Sequence, residues 1–310
     1  GKLAKQASSI VMRAGETVVL VTAVSNKEPK DLPFLPLTVE YREGGASAGK
    51  IPGGYFKREG RPSENEILTC RVTDRPIRPL FPKAYRCETQ IISTVLSHDR
   101  ENEPDVLSVT GASAALTISD APWEGPIAGI RVARVDGKLI PFPTWSQLQQ
   151  SDIQLLVGCS RDAIVMVEGG ASEATEAEMI DALMFAKEQS VPLIEAQDRL
   201  RERAGTPKRV YVPPAVDEEF QKMVMGKGEA GYREALAIAG KHERSDRLNA
   251  LKKEIVTAVL AEHPDREVEI KAALSKLEKA VVRERVLDTH TRIDGRGLRD
   301  VRPLHIETHP

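Results

Sequence analysis

The 310-residue chain balances 44 Lys and Arg against 46 Asp and Glu, a net charge of −2, and 41% of its residues are hydrophobic. This is the composition of a folded protein long enough for two domains, and it excludes a chain that is basic all over, so any nucleic-acid contact must be made by a local patch. No window approaches 18 consecutive apolar residues, and the three cysteines, Cys70, Cys87 and Cys159, lack CxxC spacing, so a membrane span, a disulfide framework and a zinc site are all disfavoured.

A soluble protein of a reducing cytoplasm is expected. The first residue is glycine and no signal-peptide pattern follows it, so the chain is expected to begin inside a longer protein.

In chain order, β-rich runs alternate with helical patterns up to about residue 205. Strands are expected at Thr17–Val24 and Phe34–Tyr41, where Val, Ile, Leu and Thr dominate. The Gly-rich stretch Gly49–Glu66, "GKIPGGYFKREGRPSENE", can run neither as a helix nor as a central strand. A helix then begins at Ser63, where Ser63-x-x-Glu66 is a capping box, and Pro76 should end it. A strand at Thr89–Leu96 leads to a second helix from Pro104-Asp105 through "VLSVTGASAALTIS", whose small residues Gly111 to Ala115 would let a sheet approach closely. Further strands are expected at Ile127–Val135, Gln154–Val157 and Ala163–Val167, the last two joined by a hairpin turn at Gly158–Asp162, before a third helix from Ser172 to about Ala204.

From Ala215 to Asp288 the alternation stops. Leu248, Leu251, Ile255 and Val259, then Leu274, Leu277 and Val281, form apolar stripes of helical period with balanced charges between them. The "YVPPAV" segment, Tyr211 to Val216, reads as the linker before this all-helical region. After Asp288 come a turn at Asp294-Gly295 and β-like alternation, which reads as the opening of a third unit that is cut off.

Between Tyr41 and Arg86 stand ten Lys or Arg against five Asp or Glu, together with five of the chain's 13 aromatics. Basic residues neutralise phosphates, and exposed aromatics stack on unpaired bases, so the combination suits a single strand. Tyr41, Phe81 and Tyr85 fit a core role. Tyr55 and Phe56, at the tip of the Gly-rich loop beside Lys57 and Arg58, fit the binding role. Arg75 and Arg78, stiffened by prolines in "DRPIRPLFP", suit phosphate recognition, while a structural pair with Asp74 is nearly as well supported.

Other chemistries find little support. The loop is not a P-loop, since GxxxxGK[ST] is absent. The terminal "HIETH" is not HExxH, and on a strand His305 and His309 would stand roughly 13 Å apart, too far to share a zinc ion. Asp152 is the nearest approach to a metal-binding aspartate cluster, and it is alone.

"GKIPGGYFKREGRPSENEILTCRVTDRPIRPLFP", "VTGASAALTISDAPWEGPIAGIRVARVDGKLI", "MVEGGASEATEAEMIDALMFA" and "TRIDGRGLRDVRPLHIETHP" together resemble, in the same order, the bacterial polynucleotide phosphorylase family. The resemblance implies an α/β (α+β) RNase PH-like domain over 1–210 lacking its opening residues, an all-α domain over 215–288, and the start of a second RNase PH-like domain over 289–310. It implies processive 3′→5′ phosphorolysis of single-stranded RNA in mRNA degradation, with inorganic phosphate as co-substrate and magnesium (Mg2+) held by the second RNase PH-like domain. A homotrimer, and RNA degradosome components as partners, follow from the same resemblance.

Residue by residue, Tyr55-Phe56-Lys57-Arg58 matches a family Phe-Phe-Arg-Arg loop that grips RNA in a central channel, with Tyr for Phe and Lys for Arg, and Arg71, Arg75 and Arg78 fall near the RNA path. The places equivalent to the family's catalytic site look degenerate: Arg100–Ser108 puts acidic residues where a phosphate cradle needs donors, and "QQSDIQLLVG" lacks the aspartate cluster. No catalytic or metal-binding residue is therefore expected in this chain. An alternative is a catalytically silent RNA-binding or ring-forming subunit of an exosome-like assembly.

Overall fold

The computed structural model describes residues 3–5, 7–51, 53–54, 60–213 and 215–308. They form two compact units, divided between residues 214 and 215.

The first unit holds two four-stranded sheets. In one, β1 (Ser8–Ala14), β2 (Thr17–Pro29), β4 (Cys87–Ser97) and β3 (Leu37–Arg42) lie in the order β1-β2-β4-β3, with only the β3–β4 pair parallel. In the other, β6 (Lys138–Pro141), β5 (Ile127–Val135), β7 (Ile153–Ser160) and β8 (Ile164–Ala171) are antiparallel throughout.

Helix α2 (Pro104–Ile118) packs against both sheets, and its residues from Pro104 to Thr117 are buried except Asp105. Its small side chains make that possible. A Cβ on Gly111 would stand 2.6 Å from Val21 of β2, and one on Gly129 of β5 would stand 2.9 Å from Val109 of α2. The polar groups carried inside with it are paired: Ser113 Oγ donates to Gln197 Oε1 (2.6 Å) and accepts from Ile127 N (2.9 Å), while Gln197 Nε2 donates to Ile127 O (2.8 Å). Gln197 belongs to α4 (Glu176–Ala204), so one buried network ties two helices to a strand.

Several sequence expectations need correction. Helix α1 (Glu64–Ile77) runs through Pro76 and ends one residue later, followed by a 3-10 turn at Arg78–Leu80. A proline in a last turn loses one hydrogen bond without breaking the helix, and the tighter turn takes up the chain. Strands β1 and β6 were not expected; β6 follows an Asp136-Gly137 turn in which both residues have positive φ, a two-residue hairpin connection. The β7–β8 turn sits at 161–163 because both strands are longer than their most apolar residues. Helix α4 starts at Glu176, where Thr175 and Glu178 make a capping box. A short helix, α3 (Trp145–Leu148), joins β6 to β7.

The second unit is three helices: α5 (Glu218–Ala237), α6 (Lys241–Glu262) and α7 (Glu267–Thr289). Ile255, Val259, Leu274, Leu277 and Val281 of the expected stripes are buried with Phe220, Val224, Tyr232 and Leu236 from α5, and Leu248 and Leu251 pack at the margin. Arg244 is buried and donates to Ile238 O (2.8 Å), Ala239 O (3.0 Å) and Ile293 O (3.3 Å), which fastens the segment after α7 to the α5–α6 connection. Gly295 makes the expected turn, with φ of 84°. The β-like alternation after it forms no strand: the described residues carry a single bridge, Thr291 to Gly297, and 298–308 are irregular and exposed. A strand needs a neighbouring ladder, and the described part of this unit offers only helices.

Candidate nucleic-acid interface

The Gly-rich stretch leaves β3 and enters α1. Tyr55, Phe56, Lys57 and Arg58 lie outside the described residues. The flanks are described and solvent-facing: a 3-10 turn at Gly45–Ala48 ends on Gly49 in the left-handed region, Ile51 is 95% exposed, and a Cβ on Gly49, Gly54 or Gly60 would meet nothing within 4 Å.

One carboxylate closes the base of this excursion. Glu66 Oε1 accepts from Glu43 N (2.9 Å) and Oε2 from Ser63 N (2.6 Å), so the chain leaves and re-enters at two oxygens of the same group. The Ser63–Glu66 capping box thus does more than start α1. Burial alone would raise the Glu66 pKa, but the N–H donors of Glu43 and Ser63 outweigh it and hold the group ionised below the usual carboxylate range. Glu43 is itself held by Tyr41, whose hydroxyl donates to Oε1 at 2.5 Å. Burial first, and then that carboxylate, push the Tyr41 hydroxyl far above its ordinary pKa. Tyr41, Phe81 and Tyr85 are all buried, in keeping with a core role.

The three arginines of α1 and the turn after it differ sharply. Arg71 is exposed and has no ion pair or hydrogen bond among the described residues. Arg75 pairs with Glu168 at 2.8 Å, both side chains about half exposed. Arg78 is committed: Nε and Nη2 grip Asp74 (2.8 and 2.6 Å), while Nη1 and Nη2 donate to Leu35 O and Leu37 O (3.1 Å each). A fork so engaged fixes the entry to β3 and has little left for a phosphate.

The acidic segment before α2 is also engaged inwardly. Asp99 accepts from Glu16 N, Thr17 Oγ1, Glu101 N, Asn102 N and Asn102 Nδ2, and although burial opposes it, these donors hold its carboxyl far below the ordinary range. Asp105 pairs with Arg131. Glu103 is pushed up by burial and by Asp105 beside it, with Arg131 opposing.

Asp152 pairs with an arginine rather than with further aspartates among the described residues. It shares Arg134 (2.7 Å) with Glu178, whose pKa falls to about 2 through the Thr175 backbone and hydroxyl donors and then Arg134. Among the described residues no group of three His, Cys, Asp or Glu side chains could hold a metal ion. His305 pairs with Glu307 at 2.9 Å, and His309 lies outside the described residues.

Comparison with known proteins agrees with this architecture. Family models match for the 3′ exoribonuclease family, domain 1, over residues 1–122 and domain 2 over 125–189, and for the polyribonucleotide nucleotidyltransferase RNA binding domain over 219–297. Among curated relatives, the polyribonucleotide nucleotidyltransferase of Geobacter sulfurreducens is 48% identical over 309 residues, covering 99% of this chain and 44% of the relative. Those of Desulfosudis oleivorans (49%) and Sorangium cellulosum (48%) are similar over 99% of this chain and 43% and 41% of their own length. The chain thus spans less than half the length of these relatives. With both RNase PH-like sheets and the helical unit accounted for, the chain belongs to the 3′ exoribonuclease family, and within it its likeness is to the polyribonucleotide nucleotidyltransferases.

Proposed function

We propose that this chain guides single-stranded RNA in a polyribonucleotide nucleotidyltransferase working in cytoplasmic mRNA degradation. In the reaction, an oxygen of inorganic phosphate attacks the terminal phosphodiester, the bond to the 3′ oxygen of the preceding nucleotide breaks, and a nucleoside diphosphate leaves. The observation that carries the reading is an exposed Arg71 on α1, without an ion pair or hydrogen bond among the described residues, following in the chain a Gly-rich loop closed at its base by Glu66. Tyr55 and Phe56 supply stacking faces, and Lys57, Arg58, Arg71 and Arg75 supply phosphate contacts. Arg75 can exchange its exposed Glu168 partner for a phosphate at small cost. Arg78 acts at one remove, by holding the β3 entry.

The chemistry is assigned to residues beyond this chain, because the acidic groups at the candidate positions here are spent: Asp99 on backbone donors, Asp105 on Arg131 and Asp152 on Arg134. Magnesium belongs with that catalytic part. In the same reading 1–210 is a first RNase PH-like domain, 215–288 the helical domain and 289–310 the start of a second RNase PH-like domain, and the protein works as a homotrimer, with degradosome components as further partners.

The test is phosphorolysis by this polypeptide with poly(A), inorganic phosphate and magnesium, RNA binding being measured on the same sample. Salt-sensitive binding without ADP release is expected. ADP release from a preparation freed of contaminating enzyme would overturn the assignment of the chemistry.

A further inference from the structure

Two aromatic side chains face solvent where β6 passes into α3: Phe142 is 44% exposed and Trp145 49% exposed. Core packing accounts for neither ring. Phe142 also sits at φ of 51°, in the left-handed region, which a bulky side chain adopts only under constraint. The constraint is local: Phe142 N donates to Arg131 O (2.8 Å), and Pro143 after it is buried. Strain of this kind persists where the surroundings over-determine it, and it points to a use for the side chain so presented.

A second strained residue is bolted to the same place. Glu101 makes the bolt: its backbone O accepts from Trp145 N (2.8 Å), and its carboxylate accepts from Ser146 N (3.3 Å) and Ser146 Oγ (2.8 Å). Next to it Arg100 is exposed at φ of 68°, with no ion pair or hydrogen bond among the described residues. The turn that carries Arg100 is stiff, because Asp99 accepts from both Glu101 N and Asn102 N. That turn also adjoins the Gly-rich loop. His98 N donates to Ser47 O (3.0 Å), in the 3-10 turn that opens the loop, and exposed Lys50 follows that turn, again unpaired among the described residues. The carboxylates between them are occupied: Asp99 and Glu101 as above, and Glu43 by the Tyr41 hydroxyl.

We propose that Phe142 and Trp145, with Arg100 and Lys50, form a second single-strand contact that continues the RNA path from the Gly-rich loop, the rings stacking on unpaired bases and the cations neutralising phosphates. Exposed rings beside unpaired cations match the two faces of a single strand, its bases and its charged backbone. The inference rests on the reading of this chain as an RNA guide and adds a place to it.

The test uses the full chain and its own fluorescence. Of the two tryptophans, Trp123 is buried with Nε1 on Ile77 O, so long-wavelength emission reports Trp145. Poly(A) is titrated at low salt while binding is measured independently by sedimentation. Emission should be quenched in step with binding, and added salt should reverse both. Trp145→Ala should weaken binding roughly tenfold, and Phe142→Asn, which suits a positive φ but has no ring, should weaken it similarly without lowering the melting temperature. Arg100→Ala should lower the slope of log affinity against log salt by about 0.7. Poly(A) bound with Trp145 emission unchanged, or with wild-type affinity in folded Trp145→Ala, overturns this inference, leaves the guiding role standing and would assign the surface to a protein partner. No binding of poly(A) by the wild-type chain would remove the guiding role and this contact together.

Discussion

The outer face of α1 and the start of α2 are both densely charged, yet they put their charges to opposite uses. From α1 into the 3-10 turn after it, the cations grade from Arg71, unpaired among the described residues, through loosely paired Arg75 to locked Arg78. Before and at the start of α2, Asp99 and Asp105 are satisfied from within. Charge density in a sequence therefore does not distinguish a surface that recognises from one that holds itself together. What distinguishes them is whether a backbone donor or counter-ion lies within reach, and that is set by the fold.

The largest expected effect is on the base of the Gly-rich loop. Glu66→Ala removes the acceptor of two backbone N–H groups and half a capping box, which should cost about 3 kcal/mol in denaturant unfolding and speed hydrogen exchange between Glu43 and Ser63. An unchanged exchange rate there would mean that the loop is closed by something else. Next comes Phe56→Ala, which should weaken single-stranded RNA binding by about 1–3 kcal/mol without moving the melting temperature. A variant that loses stability but not affinity would place Phe56 in a core.

Smaller is Arg78→Ala. It should cost about 1–2 kcal/mol of stability, discounted because the side chain is partly exposed, with little effect on the salt dependence of RNA binding. Smaller again, per group, is the effect of acid. Glu66, Asp99 and Glu178 have folded pKa values below their unfolded ones, so their contribution is complete above the ordinary carboxylate range of about 4.5 and is lost as pH falls toward 2. These three groups should therefore leave stability measured by melting unchanged from pH 7 to about 5 and lower it below that. A decline beginning near pH 6.5 would point to histidine instead.

Much of the fold was legible because local chemistry announced it. The Ser63–Glu66 capping box, the small-residue run of α2 and the stripes of α6 and α7 each state a structural requirement in consecutive residues. The Asp136-Gly137 turn was equally legible, since Asp-Gly is a strong hairpin signal, and it would have revealed β6. Other features were not available from sequence. Glu66 as the clasp of a loop, Asp152 sharing Arg134 with Glu178, and Asp105 against Arg131 all join residues that are distant in the chain. The candidate interface was legible as a composition, basic and aromatic, but the division of its arginines into free and committed was not.

The most direct measurement is the affinity of the chain for a short poly(A) strand across a salt series, for wild type, Arg71→Ala and Arg78→Ala. If α1 presents Arg71 to RNA, its loss should lower the slope of log affinity against log salt by about 0.7, the value for one phosphate contact on a single strand, while Arg78→Ala keeps the wild-type slope. Equal slopes for wild type and Arg71→Ala, or a lowered slope for Arg78→Ala alone, would contradict the account.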